Sequence, residues 1–318
     1  MAPTLSHDSR SGPQARARDW AEIQERMLVP LYESVYDRLE VGAGTGLLAL
    51  GCGSGLALLL AAARGAAVTG CDTDEHRLAL ARTRLLPEPR RGAPEPRSAD
   101  AAGPRLLAGP AGRLGDDLRY RDYDVITAFD PAAPAGELRP VLAAVARAAR
   151  HGSTVVLAGW GPPERCSASR VLKTAGRLAE PRGSAARVRL SGRDDLEDLA
   201  RDAGLRPDGS GRVACPFGYP DLPSAVRGLL STGLFDAAVE ATDQQQVDKE
   251  IAEALHPYRR PDGMIRMENV FRYVVARVER APARRREAPD APSPKTGWPS
   301  PAHRPREWAG AHSCPPPR

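Results

Sequence analysis

From Trp20 to Val278, short apolar runs alternate with stretches whose apolar residues recur every three or four positions. Trp20 to Leu39 carries Trp20, Ile23, Met27, Leu28, Leu31, Tyr32, Val35 and Tyr36 at helical intervals and predicts one or two helices. Leu47 to Leu50 reads as a buried strand, Leu56 to Arg64 as an apolar helix closed by Gly65, Ala67 to Cys71 as a second strand and Glu75 to Leu85 as a helix. Arg105 to Ala108, Asp124 to Phe129 and Thr154 to Ala158 continue the strands, with a helix over Glu137 to Arg150. Apolar strands alternating with helices give an α/β fold whose parallel sheet is covered on both faces. Further on, Asp194 to Ala203 predicts a helix, Arg212 to Cys215 a strand, Leu222 to Leu255 two or three helices, and Val270 to Val278 a strand at the edge of the same sheet.

Composition narrows the classes. The 318 residues are 42% hydrophobic, enough for a sizeable core, and the longest apolar run, Leu56 to Ala63, is far too short to span a bilayer. No basic start followed by an apolar stretch reads as a signal peptide. The five cysteines are scattered without a CxxC or Cys/His pairing, which argues against a disulfide framework or a metal site and suits a reducing cytoplasm. Residues 280–318 hold eight arginines and lysines against three acids, which accounts for the whole net charge of +5. The body is neutral, which argues against nucleic acid as a partner. Residues 1–17 read as a flexible arm, 18–279 as the folded domain, and 280–318, with ten of the 31 prolines, as a disordered Pro/Arg-rich tail. Pro87 to Pro104 reads as a long surface loop.

Two GxGxG runs lie close together, Gly42 to Gly46 and Gly51 to Gly55. A loop that holds a nucleotide cofactor must leave a strand and open a helix. The first run follows a polar helical stretch and fits a turn into the sheet; the second follows Leu47 to Leu50 and opens the Leu56 helix. Gly51, Gly53 and Gly55 allow close backbone approach, and the helix N-terminus adds oriented N–H groups. Asp72, ending the second strand, stands where a carboxylate meets the ribose of a bound nucleoside. The spacing departs from the GxGxxG of dinucleotide sites.

The stretch LLALGCGSGLALLLAAARGAAVTGCDTDEHRLALAR resembles the first two motifs of class I S-adenosylmethionine-dependent methyltransferases. DVITAF matches the family's fourth-strand motif, and ARAARHGSTVVLAGWG resembles its turn into the fifth strand. More thinly, GWGPPERC and NVFRYVVARV resemble bacterial small-molecule members of the methyltransferase type 11 kind. The resemblance implies a doubly wound, Rossmann-like, seven-stranded, mostly parallel sheet with helical insertions before the last strand. It also implies a cofactor-binding core over 40–161 and a substrate-covering segment over 162–279. S-adenosyl-L-methionine would be the cofactor. The backbone of Gly51, Cys52, Gly53 and Gly55 would cradle its methionine part, Asp72 would bind the ribose and Thr73 would border the adenine. Ala111, Ala128 and Phe129 would complete that site. The reaction would be direct S_N2 methyl transfer to an O, N or C nucleophile of a small molecule, without metal.

The sequence departs from the family at three places, at the first two of which an acid is usual. Ala49 stands two residues before Gly51, Pro110 follows the third strand, and the Pro-Gly-Gly turn reads His151-Gly152-Ser153. Each missing acid removes roughly 1–1.5 kcal/mol of hydrogen bonding, so a non-catalytic protein with a degenerate cofactor site is the alternative. Asp130-Pro131-Ala132-Ala133 lacks the second proline and the aromatic that base methyltransferases place after the fourth strand, which makes a nucleic-acid methyltransferase the third reading. Of six histidines only His256, in LHPYRRPDG, falls in the substrate-covering segment, where it is the candidate general base. Trp160, ending the fifth strand, and Tyr32 and Tyr36 are candidate walls of the substrate pocket. Removing residues 281–318 is expected to leave the fold intact, and an unchanged far-UV circular dichroism spectrum and Tm of the shortened chain would check this.

Overall fold

The computed structural model describes residues 12–86, 103–111, 120–129, 135–179 and 192–279. The tail, residues 1–11 of the expected arm and Asp130-Pro131-Ala132-Ala133 lie outside these, as does nearly all of the stretch Pro87 to Pro104 read as a loop. Helix begins earlier than the sequence reading placed it. α1 (Pro13–Asp19) already buries Ala17, so residues 13–17 belong to the body and not to an arm. The chain continues through a π turn (Trp20–Gln24) and a 3-10 turn (Glu25–Leu28) into α2 (Val29–Arg38).

The next elements follow the expected alternation: β1 (Gly46–Leu50), α3 (Leu56–Ala63), β2 (Ala67–Asp72), α4 (Glu75–Leu85), β3 (Arg105–Ala108), β4 (Val125–Ala128), α5 (Ala135–Ala148) and β5 (Thr154–Trp160). Then come α6 (Ala168–Ala179), α7 (Asp195–Asp202), β6 (Leu205–Ala214) and β7 (Phe217–Tyr219). Three helices, α8 (Leu222–Leu230), α9 (Asp236–Ala241) and α10 (Gln244–Leu255), precede β8 (Ile265–Met267) and β9 (Val270–Val278).

Seven strands form one sheet in the order β3-β2-β1-β4-β5-β9-β6, while β7 and β8 pair separately. β1 to β5 are mutually parallel, and only β9 runs against its neighbours. The strands are buried on both faces because side chains alternate across a strand and helices cover each side. In β1, Leu47 and Ala49 join the core under α2, α3, α6, α8 and α10, while Leu48 and Leu50 join the core under α5 and α7.

The last strand corrects the sequence reading. β9 is not the sheet edge; it inserts between β5 and β6, and β6 is the edge. β6 is also ten residues long, where the sequence suggested only its last few. LRPDGSGRVA reads as a turn because of its proline and two glycines. On an edge strand a missing N–H leaves no ladder bond unmade, and the register shift between Pro207 and Gly209 absorbs the irregularity. Neither α6 nor the β7–β8 pair was anticipated. α6 buries Ala168, Val171, Leu172 and Ala175, a helical spacing that was there to be read.

Candidate functional site

The glycine loop leaves β1 and bends around the end of β2. Gly51 N–H and Cys52 N–H both donate to the Cys71 carbonyl, each at 2.9 Å. The Asp72 carboxylate then braces the loop: Oδ2 accepts from Gly53 N–H at 2.7 Å and Oδ1 from Asp74 N–H at 2.8 Å. Gly55 has φ +83°, and a Cβ on it would stand 2.9 Å from the Ala81 Cβ on α4, so only glycine closes this turn against α4. Asp74 caps α4 by accepting from His76 N–H at 2.9 Å and Arg77 N–H at 3.1 Å.

The N-terminal segment lies directly on this loop. A Cβ on Gly53 would stand 3.1 Å from both Glu25 Oε1 and Trp20 Nε1. In an α-helix, residues five apart point about 140° away from each other. Here Glu25 N–H donates to the Trp20 carbonyl across a π turn, and both side chains reach Gly53. Glu25 Oε2 accepts from Ser54 Oγ and from Arg84 Nη1 (2.7 Å), and Arg84 Nη2 donates to the Ala21 carbonyl at 3.0 Å. The Arg77 guanidinium lies 4.4 Å over the Trp20 ring and donates to the Ser231 carbonyl at 2.7 Å, just beyond α8. Tyr219 Oη donates to Gln24 Oε1 at 2.8 Å, and Arg16 pairs with Asp236 at 2.7 Å. The segment is therefore a cap, joined beneath to the glycine loop and α4 and above to the α8–α9 insertion.

Under the cap is a cleft lined by Gly51, Cys52, Gly53, Asp72, Phe129 and Tyr32, all named from the sequence. Trp20, Glu25, Arg77 and Thr127 also line it and were missed as site residues. A signal existed for two of them. Glu25 falls on the apolar face, four after Ala21 and three before Leu28, and a buried carboxylate demands a partner. Its partner Arg84 and the neighbouring Arg77 stand seven apart on α4, hence on one face. Among the described residues, Thr127 Oγ1 and Trp20 Nε1 are buried without a hydrogen-bond partner. The cleft's volume is about 20 Å³, room for about one water.

Other expected residues lie elsewhere. Gly55, Thr73, Ala111 and Ala128 are not part of the cleft lining; Thr73 is exposed, and the Ala111 carbonyl accepts from Tyr120 Oη at 3.0 Å. Tyr36 is fully buried and donates to the Ala57 carbonyl at 3.0 Å, so it is core. Its neighbour Tyr32 stacks at 5.2 Å on Phe129, which walls the cleft. Trp160 packs at 4.6 Å on Phe271 and 5.8 Å on Phe217, in a buried aromatic group away from the cleft lining. His256 is exposed beyond α10, beside Lys249 and Glu253, and not in the cleft. The described residues contain no group of His, Cys, Asp and Glu arranged to hold a metal, and no described helix is long and apolar enough to cross a membrane.

A methyltransferase domain family model matches residues 48–157, the stretch from β1 to β5. No curated protein matches the chain. Among solved structures, a methyltransferase candidate from Bacillus halodurans C-125 is similar at 12% identity and TM-score 0.50, over 78% of this chain and 99% of its own. The YcgJ protein of Bacillus subtilis is similar at 16% identity and TM-score 0.50, over 79% and 98%. Both likenesses are of fold.

Burial, reinforced by the Asp72 carboxylate, pushes the Cys52 thiol far up, so it stays protonated and is no nucleophile at neutral pH. Burial likewise raises Cys71 from 9.0 to about 11, while an unfolded chain releases that proton first. Stability contributed by the buried thiol is complete below pH 9 and is lost as pH rises toward 11. Urea melts at pH 8 and pH 11 should show this loss, and Cys71→Ala should retain more of its pH 8 stability at pH 11 than the wild type.

Proposed function

We propose that the chain is a class I S-adenosylmethionine-dependent methyltransferase that methylates an O, N or C nucleophile of a small molecule by direct displacement, a reading supported by the methyltransferase domain match over residues 48–157. The observation that carries the small-molecule reading is the cap: the cleft beside the glycine loop is roofed by Trp20, Glu25 and Tyr32 and closed to about 20 Å³. A macromolecular acceptor needs an open face at this edge; an acceptor that enters and is enclosed suits a roofed one.

The residues present fit the cofactor chemically. Asp72 accepts from Gly53 N–H and Asp74 N–H at the end of β2, where the carboxylate of a nucleoside site meets the ribose. Gly51 (φ +73°) is exposed and would offer its backbone to the methionine part, Gly53 (φ +56°) would do so once Trp20 and Glu25 move off it, and Thr127 Oγ1 offers a hydroxyl near the end of β4. Bound S-adenosylmethionine supplies a methyl group on a positively charged sulfur that is already a good leaving group. What the chain contributes is alignment: Phe129, held by Tyr32, walls the reacting position, and the cap narrows the cleft above it. No step uses His256 or a cysteine. The four described cysteines are buried and unbridged, which suits a reducing, cytoplasmic setting.

The volume does not fit without motion. A cleft that holds one water admits the cofactor only if the Trp20 to Leu28 segment moves, and its π and 3-10 turns are weaker helix than the α turns beside them. The same closure is what favours the second reading, a methyltransferase fold that binds no cofactor.

Calorimetric titration with S-adenosylhomocysteine separates the two. We expect micromolar binding that Asp72→Ala weakens at least roughly tenfold, about 1.4 kcal/mol; no binding by folded wild-type protein would sink the enzymatic reading. If the cap must open first, Trp20→Ala raises the association rate constant by roughly threefold or more, and surface plasmon resonance would read it. A slower or unchanged rate would mean that the cap does not gate entry.

A further inference from the structure

The edge of the sheet that carries the glycine loop has a second opening. β6 runs parallel to β5, so the loop after β5 (Pro162 to Arg165), the end of β6 (Arg212 to Ala214) and the start of β9 (Val270, Arg272) all meet there, with the Gly192–Arg193 turn alongside. They line a groove of about 810 Å³, within the size range of small-molecule sites. β5 lies two strands from β1 in the sheet and β6 four strands, or about 10 to 19 Å at the usual strand spacing of about 4.8 Å.

The groove is built from arginine. Arg272 is buried and fully used: Nη2 donates to both oxygens of Glu197 at 2.5 and 2.6 Å, and Nη1 to the carbonyls of Gly192 (2.9 Å) and Arg193. These bonds pin the turn that brings Arg193 to the rim. Arg212 stands directly opposite Arg272 on the neighbouring strand, and Gly159 opposite Arg272 on the other side, which leaves room beside the guanidinium. Directly opposed like charges destabilise a sheet. Glu197 neutralises Arg272, but among the described residues the side chains of Arg165, Arg193 and Arg212 make no ion pair or hydrogen bond. Glu164 is the single carboxylate in the groove lining, so two positive charges remain uncompensated.

We propose that this groove binds an anionic group of the methyl acceptor, a phosphate or a carboxylate, held by Arg165, Arg193 and Arg212 one to two nanometres along the sheet edge from the cofactor loop. Planar guanidinium groups suit the forked oxygens of either group. The proposal rests on the small-molecule reading above and adds the acceptor's charge.

Its test needs no acceptor and no activity. Full-length protein is titrated calorimetrically with pyrophosphate and, separately, with citrate, at constant ionic strength set by chloride. The Arg193→Gln/Arg212→Gln double variant and the Arg165→Gln single variant are run in parallel. Wild type should bind at least one probe in the micromolar to low millimolar range, and the double variant at least tenfold more weakly; which probe binds distinguishes phosphate from carboxylate. S-adenosylhomocysteine titrated into the same samples should bind wild type and variants alike, so that failure here is separable from failure of the cofactor reading. In probe-free chloride buffer Arg212→Gln should melt no lower than wild type, because it removes an opposed like charge, whereas a structural arginine would lower the Tm. Equal probe affinity in wild type and variants, or none in wild type, would overturn the proposal. So would a single-stranded oligonucleotide that binds more tightly than pyrophosphate with a steep salt dependence, since that marks a nucleic-acid surface.

Discussion

Everything at the cofactor edge depends on one buried carboxylate. Glu25 is 2% exposed, and its charge is tolerated only because Ser54 and Arg84 meet it. Removing one partner from such a pair leaves an uncompensated buried charge, typically at a cost of about 3–5 kcal/mol. The three residues come from the cap, the glycine loop and α4, so one knot ties together pieces that are distant in sequence. The same knot explains the irregular winding of the cap: a regular α-helix would not present Trp20 and Glu25 to Gly53 together.

How much of this was legible in the sequence follows from the range of the interactions. β1 to β5 and their helices could be read because parallel strands buried on both faces are continuous apolar runs punctuated by glycine and capping acids, all local signals. Context alone separated the two glycine runs, and Gly42 to Gly46 is indeed the turn into β1. Resemblance extended the reading to Asp72 and Phe129, both in the cleft lining. It carried nothing about Trp20 or Glu25, which precede the region it covers. β6 was obscured because proline and glycine mean turn in most contexts and are tolerated here only by an edge position, which no local pattern announces.

The expected side chains that lie outside the cleft lining share a cause. Trp160 and Tyr36 were placed correctly along the chain, but a residue at a strand end or on a helix face can serve a pocket or a core, and the neighbours decide. Phe217 and Phe271 claim Trp160; the Ala57 carbonyl claims Tyr36. His256 lies outside the cleft for the opposite reason. It follows an amphipathic helix whose buried side ends at Leu255, so the next residue faces outward.

The antiparallel β9 has a consequence for the order in which the molecule is made. β6 touches the sheet only through β9, and β9 comes after the α8 to α10 insertion and the β7–β8 pair. During vectorial synthesis the five parallel strands have all emerged before β6, yet β6 has no backbone partner until β9, which begins at Val270, leaves the ribosome. For that interval a ten-residue strand and the flank of β5 are both open to foreign pairing. The alternation of polar residues with Pro207, Gly209 and Gly211 in β6 is then a safeguard for the nascent chain: it keeps the waiting strand too hydrophilic and too irregular to aggregate.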